Sequence, residues 1–330
     1  YAGEGNPGKA IEDMGPGEVV LRALEHAQQT LRGGVTAVRD CGGKDYLEFA
    51  VRDACNRRRF PGPTIRAAGR MICMTGGHGN RTGRVADGVD EVVKAVREQI
   101  HAGADLIKIM ATGGVMTPGL NPEDAHYTAE EMAAGIHEGH RFHKTCASHA
   151  QGSEGILNAV RGGVDSIEHG IFMTDACIEE MTARGIYLVP TLAAVRNIIA
   201  NKDNGVPAYA VEKCEKITEI HIASIRAFYQ AGGKIAMGTD AGTPYNTHGL
   251  NALELQYMVE VAGISPTDSL IISTRNGADL MRLEDQGVIA EGKAADLLIV
   301  DGDPTLDIKM AAQIANHRMV VKGGVVAKAR

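Results

Sequence analysis

One unit recurs along this chain: an amphipathic stretch, a glycine stop, then a short apolar run. Gly33-Gly34 follows Val19–Leu31 and precedes Val35–Val38; Gly103 follows Val89–Ile100 and precedes Asp105–Met110. Gly162-Gly163, Gly185 and Gly232-Gly233 divide Ser153–Val160 from Val164–Ile167, Thr174–Ala183 from Ile186–Val189, and Val211–Gln230 from Lys234–Met237. Pro61-Gly62-Pro63 and His143-Lys144 punctuate two further units, before Thr64–Ala68 and Thr145–Ser148. Glycine ends helices because it enters the left-handed region without steric cost. The surplus of glycine, 41 of 330 residues against an average of roughly 7%, follows from this repetition.

Seven strands alternating with helices imply a parallel sheet with helices on its faces. An open doubly wound sheet and a closed (β/α)8 TIM barrel both fit. The first strand runs into Asp40-Cys41-Gly42-Gly43-Lys44, not the G-x-G-x-x-G turn of a dinucleotide fold. The stretch from Val19 to about Leu283 has the length of a barrel, roughly 250 residues, but one strand too few. Beyond it the helix–strand period ceases. Ala295–Val300 and Met319–Lys328 read as strands of a small β-appendage. We therefore divide the chain into a barrel, residues 1–283, and an appendage, residues 284–330.

Composition removes several classes of function. Hydrophobic residues are 44% and charged residues 23%, which suits a folded domain and not a disordered one. No apolar run approaches the roughly 18 residues of a membrane span. A net charge of −7 argues against nucleic acid as a partner. The six cysteines are spread without a C-x-x-C pair, which predicts reduced thiols in a cytoplasmic protein.

In a barrel the chemistry sits at the C-terminal ends of the strands. Lys108 interrupts the apolar strand Leu106–Met110, opposite in phase to Ile107 and Ile109. A lysine directed into a core is costly unless paired, neutralised or modified. The next strand ends at His149, the following one at His169, and the last at Asp240. Four such groups at successive strand ends converge on one axis, and imidazole and carboxylate are ligands for zinc-type ions. The loop Thr75–Arg81 brings His78 and Arg81 to the same rim, where they suit an anionic group of a small-molecule substrate. Thr243–Gly249 brings His248 there. Leu192–Pro207 reads as the longest rim loop, and Arg196 within it is a second candidate, with Arg81, for pairing a substrate carboxylate. His137, His140 and His143 read as a solvated helix face, and His26, His101, His221 and His317 as helical or tail residues without a role.

These residues resemble the amidohydrolase superfamily of binuclear metallohydrolases. The strings Leu106–Ile109 with Ala111-Thr112-Gly113-Gly114, Ser148-His149-Ala150, Ile167-Glu168-His169-Gly170 and Gly238-Thr239-Asp240-Ala241-Gly242 are similar to its strand ends. Gly292–Leu297 followed by Asp301–Pro304 resembles its β-sandwich. The Thr-Gly-Gly-His loop and His248–Ala252 resemble the imidazolonepropionase-related branch that includes Xaa-Pro and Xaa-Arg dipeptidases. The resemblance implies two divalent metal ions of zinc type and CO2 bound as a carbamate on Lys108. It implies that His149 and His169 hold the second metal, while Asp240 holds the first and carries protons. The implied activity is hydrolysis of an amide or peptide bond in a dipeptide or N-acyl amino acid. The same site would serve an ester or carbamate hydrolase, and a degenerate barrel would serve as a scaffold. We expect a homo-oligomer.

The superfamily pattern also has a His-x-His pair on a strand ahead of the first helix. Here no histidine precedes His26, and the chain begins at Tyr1 and not at methionine. We read Tyr1 as a cut just past a first strand, and a crippled first metal site as the alternative.

Overall fold

The computed structural model describes residues 4–329. Helix stops fall where the glycines predict them: Gly33, Gly103, Gly162 and Gly185 are each the cap residue of a helix. Gly103 and Gly185 take the left-handed conformation, with φ of 101° and 66°. The helices are α1 (Pro7–Glu12), α2 (Pro16–Arg32), α3 (Leu47–Asn56), α4 (Val89–Ala102), α5 (Ala129–Arg141), α6 (Ser153–Arg161) and α7 (Asp175–Arg184). They continue with α8 (Leu192–Ala200), α9 (Ala208–Gln230), α10 (Leu253–Glu260), α11 (Pro266–Ile271), α12 (Gly277–Leu280) and α13 (Lys309–Ala312).

Eleven strands lie between these helices and beyond them among the described residues. β1 (Ala37–Asp40) pairs in parallel with β2 (Thr64–Ala67). A six-stranded parallel sheet holds β3 (Ile72–Cys73), β4 (Arg84–Val85), β5 (Leu106–Met110), β6 (Thr145–Ala150), β7 (Ser166–His169) and β8 (Tyr187–Val189), in the order β4-β3-β5-β6-β7-β8. The two sheets meet where Asp105 N donates to Ala67 O at 2.8 Å and Ala67 N to Asp105 Oδ2 at 3.0 Å. The expected strand Lys234–Met237 is reduced to a single parallel bridge, Leu188 to Ile235.

Apolar periodicity fixes which way each strand faces. Ile107 and Ile109 are buried against Val92 and Val96 of α4 and Met132 and Ile136 of α5. Each such side chain contributes roughly 1.5–3 kcal/mol by leaving water. Lys108, between them, must face the other side of β5, because successive strand residues alternate.

Two expectations need correction. Leu192–Pro207 is not one long loop: Leu192–Ala200 is helical, and Leu192, Ala193, Ala194 and Val195 are buried. Met319–Lys328 is not one strand but a hairpin of β10 (His317–Lys322) and β11 (Val325–Ala329). Gly323 and Gly324 turn it, with φ of 55° and 80°. These two strands and β9 (Leu297–Val300) form a three-stranded antiparallel sheet in the order β11-β10-β9. The short strands β3 and β4, inside the Met71–Val85 excursion, were not foreseen. All six cysteines are free. No helix among the described residues is long and apolar enough to cross a membrane.

Candidate active site

A cavity of about 1110 Å³ opens at the C-terminal ends of β1 and β5–β8, and Lys108, His149, His169 and Asp240 all line it. Lys108 is 5% exposed, in register with Ala147 of β6, and its amine has no hydrogen-bond or ion-pair partner among the described residues. His149 and His169 end β6 and β7, their ring centroids 4.6 Å apart. His169 and Asp240 both have left-handed backbone, φ 78° and 53°, which turns the chain sharply at each strand end.

Hydrogen bonds orient the imidazoles. His149 Nε2 lies 2.9 Å from Gly113 O, and His169 Nδ1 lies 2.7 Å from Thr191 Oγ1. Each histidine keeps its other ring nitrogen without a partner among the described residues. Burial pushes both imidazoles well below their ordinary pKa, and Lys108 adds to the effect on each. They are therefore neutral near pH 7, the form that binds a metal. The Asp240 carboxylate is open to the cavity but packed by protein elsewhere. Desolvation pushes its pKa up, and Lys108 opposes the rise.

The structure moves His78 inward from the rim. Its ring centroid is 4.5 Å from that of His149, its Nδ1 is 2.7 Å from Thr117 Oγ1, and burial lowers its pKa to about 3. Gly114 makes room for it: a Cβ at Gly114 would come within 2.6 Å of the ring. Arg81 lines the cavity, half exposed and 3.2 Å from Glu12. His248 lines it too, stacked on His26 at 4.6 Å.

Arg196 is not brought to this cavity. Its guanidinium stands 4.7 Å over the Tyr257 ring on α10. Val195 and Ile198 of α8 line the cavity, and the 100° step between helix residues leaves Arg196 on the outer face.

Several residues here escaped the sequence reading. His26 lines the cavity, and His221, fully buried in α9, lies 3.1 Å from His169 O through Nε2. Burial lowers the His221 pKa to about 4. Asp40 ends β1 beside Glu48 of α3, whose two carboxylate oxygens are buried without hydrogen-bond partners. Burial and Asp40 together raise the Glu48 pKa to about 8. The string Arg39-Asp40 at a strand end was the available signal for Asp40; nothing in the sequence marked Glu48.

The donor chemistry fits metal ions: neutral, oriented imidazoles, a carboxylate and a buried amine with no ion pair among the described residues, all on one cavity. The ligand atoms of His149, His169 and Asp240 do not all come within 4.8 Å of one another. Among the described residues only His140, Cys146 and Asp165 do. That triplet lies at the N-terminal ends of β6 and β7. Asp165 Oδ2 is 2.8 Å from His140 Nε2 and accepts from Cys146 N at 2.7 Å, so it anchors the start of β6.

Comparison with known proteins gives the class. The chain matches the amidohydrolase family over residues 9–327 and belongs to it. It has the α/β amidohydrolase fold and is a hydrolytic enzyme acting on amide bonds. Individual relatives narrow the branch. Ochratoxinase of Aspergillus niger is 30% identical over 340 residues, covering 95% of this chain and 69% of that protein. Imidazolonepropionase of Salinispora tropica is 27% identical over 196 residues, covering 59% of this chain and 44% of that protein. The crystal structure of a Xaa-Pro dipeptidase with bound methionine superposes with a TM-score of 0.87 at 36% identity, covering 93% of this chain and 78% of that one. The chain thus lies near the imidazolonepropionase and Xaa-Pro dipeptidase members of the family, as its motifs imply.

Proposed function

We propose that this chain is a metal-dependent hydrolase of the amide or peptide bond in a small substrate, a dipeptide or an N-acyl amino acid. The observation that carries this reading is the convergence of Lys108, His149, His169 and Asp240 on one cavity. The likeness to a Xaa-Pro dipeptidase and to ochratoxinase supports it. We read the parallel strands as part of a (β/α)8 barrel and residues 284–330 as part of a β-sandwich.

In this reading His149 and His169 would hold one divalent metal ion and Asp240 another, and Lys108 as a carbamate would supply a further anionic ligand. Lys108 would gain that form when its ammonium gives up one proton and the resulting amine adds CO2 and releases a second, which replaces a buried cation by an anionic ligand. Bound metals of zinc type supply a Lewis acid for the amide carbonyl and a water of lowered pKa. Asp240 accepts the proton released as water adds to the carbonyl carbon. It delivers that proton to the nitrogen as the C–N bond breaks, so one carboxylic acid and one amine leave. Arg81, at the rim, pairs the substrate carboxylate. His78, beside His149, and His248 contact substrate.

The test is a panel of dipeptides, N-acyl amino acids and matching esters, assayed with zinc and bicarbonate. Turnover of amides that falls on chelation supports the reading. No amide turnover in the metal-loaded protein, or turnover of esters alone, rejects it.

A further inference from the structure

At the other end of the parallel strands is a second cavity, of about 200 Å³, walled by Arg39, Arg66, His143, Lys144 and Arg282 with a single carboxylate, Asp105. It is below the roughly 300–1,000 Å³ of sites for drug-sized ligands, a size that suits a small ligand such as an ion. Its charge is opposite to the chain's net −7. Asp105 is already held by Arg52 at 3.1 Å and Arg66 at 3.4 Å. Arg39 is paired with Glu168 at 2.6 Å, and Asp165 lies 3.8 Å from Arg282. Lys144 has no ion pair or side-chain hydrogen bond among the described residues.

Arg39 makes this more than a basic surface. Its side chain is only 8% exposed, yet it lines the wall. It donates to Ser166 Oγ at 3.1 Å and to Glu168 Oε1 at 2.6 Å. A guanidinium has five N–H donors, and these two bonds use two of them. An oxyanion, with several acceptor oxygens, is the ligand that meets the donors a guanidinium has to spare.

We propose that this basal cavity binds a small oxyanion of phosphate type, through Arg39 from within and Lys144, Arg66 and Arg282 around the opening. It shares Arg39 and Met281 as a common wall with the cavity at the strand C-termini, and the proposal does not depend on the hydrolytic reading. Because the ligand binds only the folded chain, it stabilises that chain in proportion to its occupancy.

The test uses inorganic phosphate on the whole protein, at ionic strength held constant with chloride. Calorimetry should give saturable 1:1 binding, and the melting temperature should rise with phosphate. Lys144→Gln and Arg282→Gln, both outside the packed core, should each weaken binding about tenfold, the effect of one charge-assisted hydrogen bond. Lys202→Gln, an exposed cation elsewhere, should not. Glycerol phosphate distinguishes the sources: competition with equal affinity assigns the phosphoryl end of a larger ligand, and failure to compete assigns the free ion. Absence of saturable binding, or binding unaltered by both Lys144→Gln and Arg282→Gln, overturns the proposal.

Discussion

The Arg39 guanidinium donates to Glu168 Oε1 at 2.6 Å, with each side chain 8% exposed, and Glu168 directly precedes His169. This pair ties β1 to β7, strands that belong to separate sheets. Arg39→Met should cost about 3–5 kcal/mol, because it leaves the buried Glu168 carboxylate without its counter-ion, with only the Ser166 hydroxyl donating to it. Arg39→Met with Glu168→Leu should recover most of that loss, since an apolar pair carries no desolvation penalty. Urea denaturation of both variants measures this; equal destabilisation would show that packing, and not charge, is what matters at the pair.

Lys108 and Thr191 test the candidate site at two depths. Thr191→Val removes the hydroxyl 2.7 Å from His169 Nδ1 and should reduce metal affinity or turnover about 10–100-fold. Lys108→Ala should reduce turnover by more than that while circular dichroism remains unchanged. Metal content and kcat of the two purified variants give the answer, and wild-type values for Lys108→Ala would remove the lysine from the chemistry.

The two arginines make opposite predictions. Arg81→Ala should raise KM about tenfold for substrates with a free carboxylate and leave kcat near its original value, the loss of one charge-assisted contact. Arg196→Ala should leave KM unchanged, because its guanidinium lies over Tyr257 and away from the cavity. Steady-state kinetics on a carboxylate substrate and its amide compare them directly.

Glu254 governs a pH dependence of stability. It is fully buried, accepts N–H bonds from Leu192 at 2.7 Å and Ala193 at 2.8 Å, and burial raises its pKa from 4.5 to about 8. Between those values the folded chain retains a proton that the unfolded chain releases, so this contribution to stability falls as pH rises through the window. Glu254→Gln cannot titrate and should flatten that slope. Melting temperatures on either side of the window reveal it; parallel curves for the two proteins would place the titration elsewhere.

Local chemistry made the helix stops and the strand-end residues legible in the sequence. Gly103 and Gly185 do in the fold what any left-handed helix cap does, and Lys108 stands out because nothing about packing explains it. What escaped depends on contacts across the chain. Glu48 feels the Asp40 charge only because α3 folds back beside β1, and His26 meets His248 from the far end of the sequence. Arg196 was misplaced because a stretch read as loop is a helix, in which one residue's turn decides between cavity and outer surface. Met319–Lys328 read as one strand because β-branched residues flank the two glycines that turn it.

His169 and Asp240, with φ of 78° and 53°, take a backbone shape that alanine disfavours and asparagine tolerates. An alanine scan of this site would therefore mix two injuries, a missing side chain and a strained main chain, at the two positions of greatest interest. His169→Asn and Asp240→Asn hold the chain in place and isolate the chemistry, so the choice of replacement residue decides what an activity loss means.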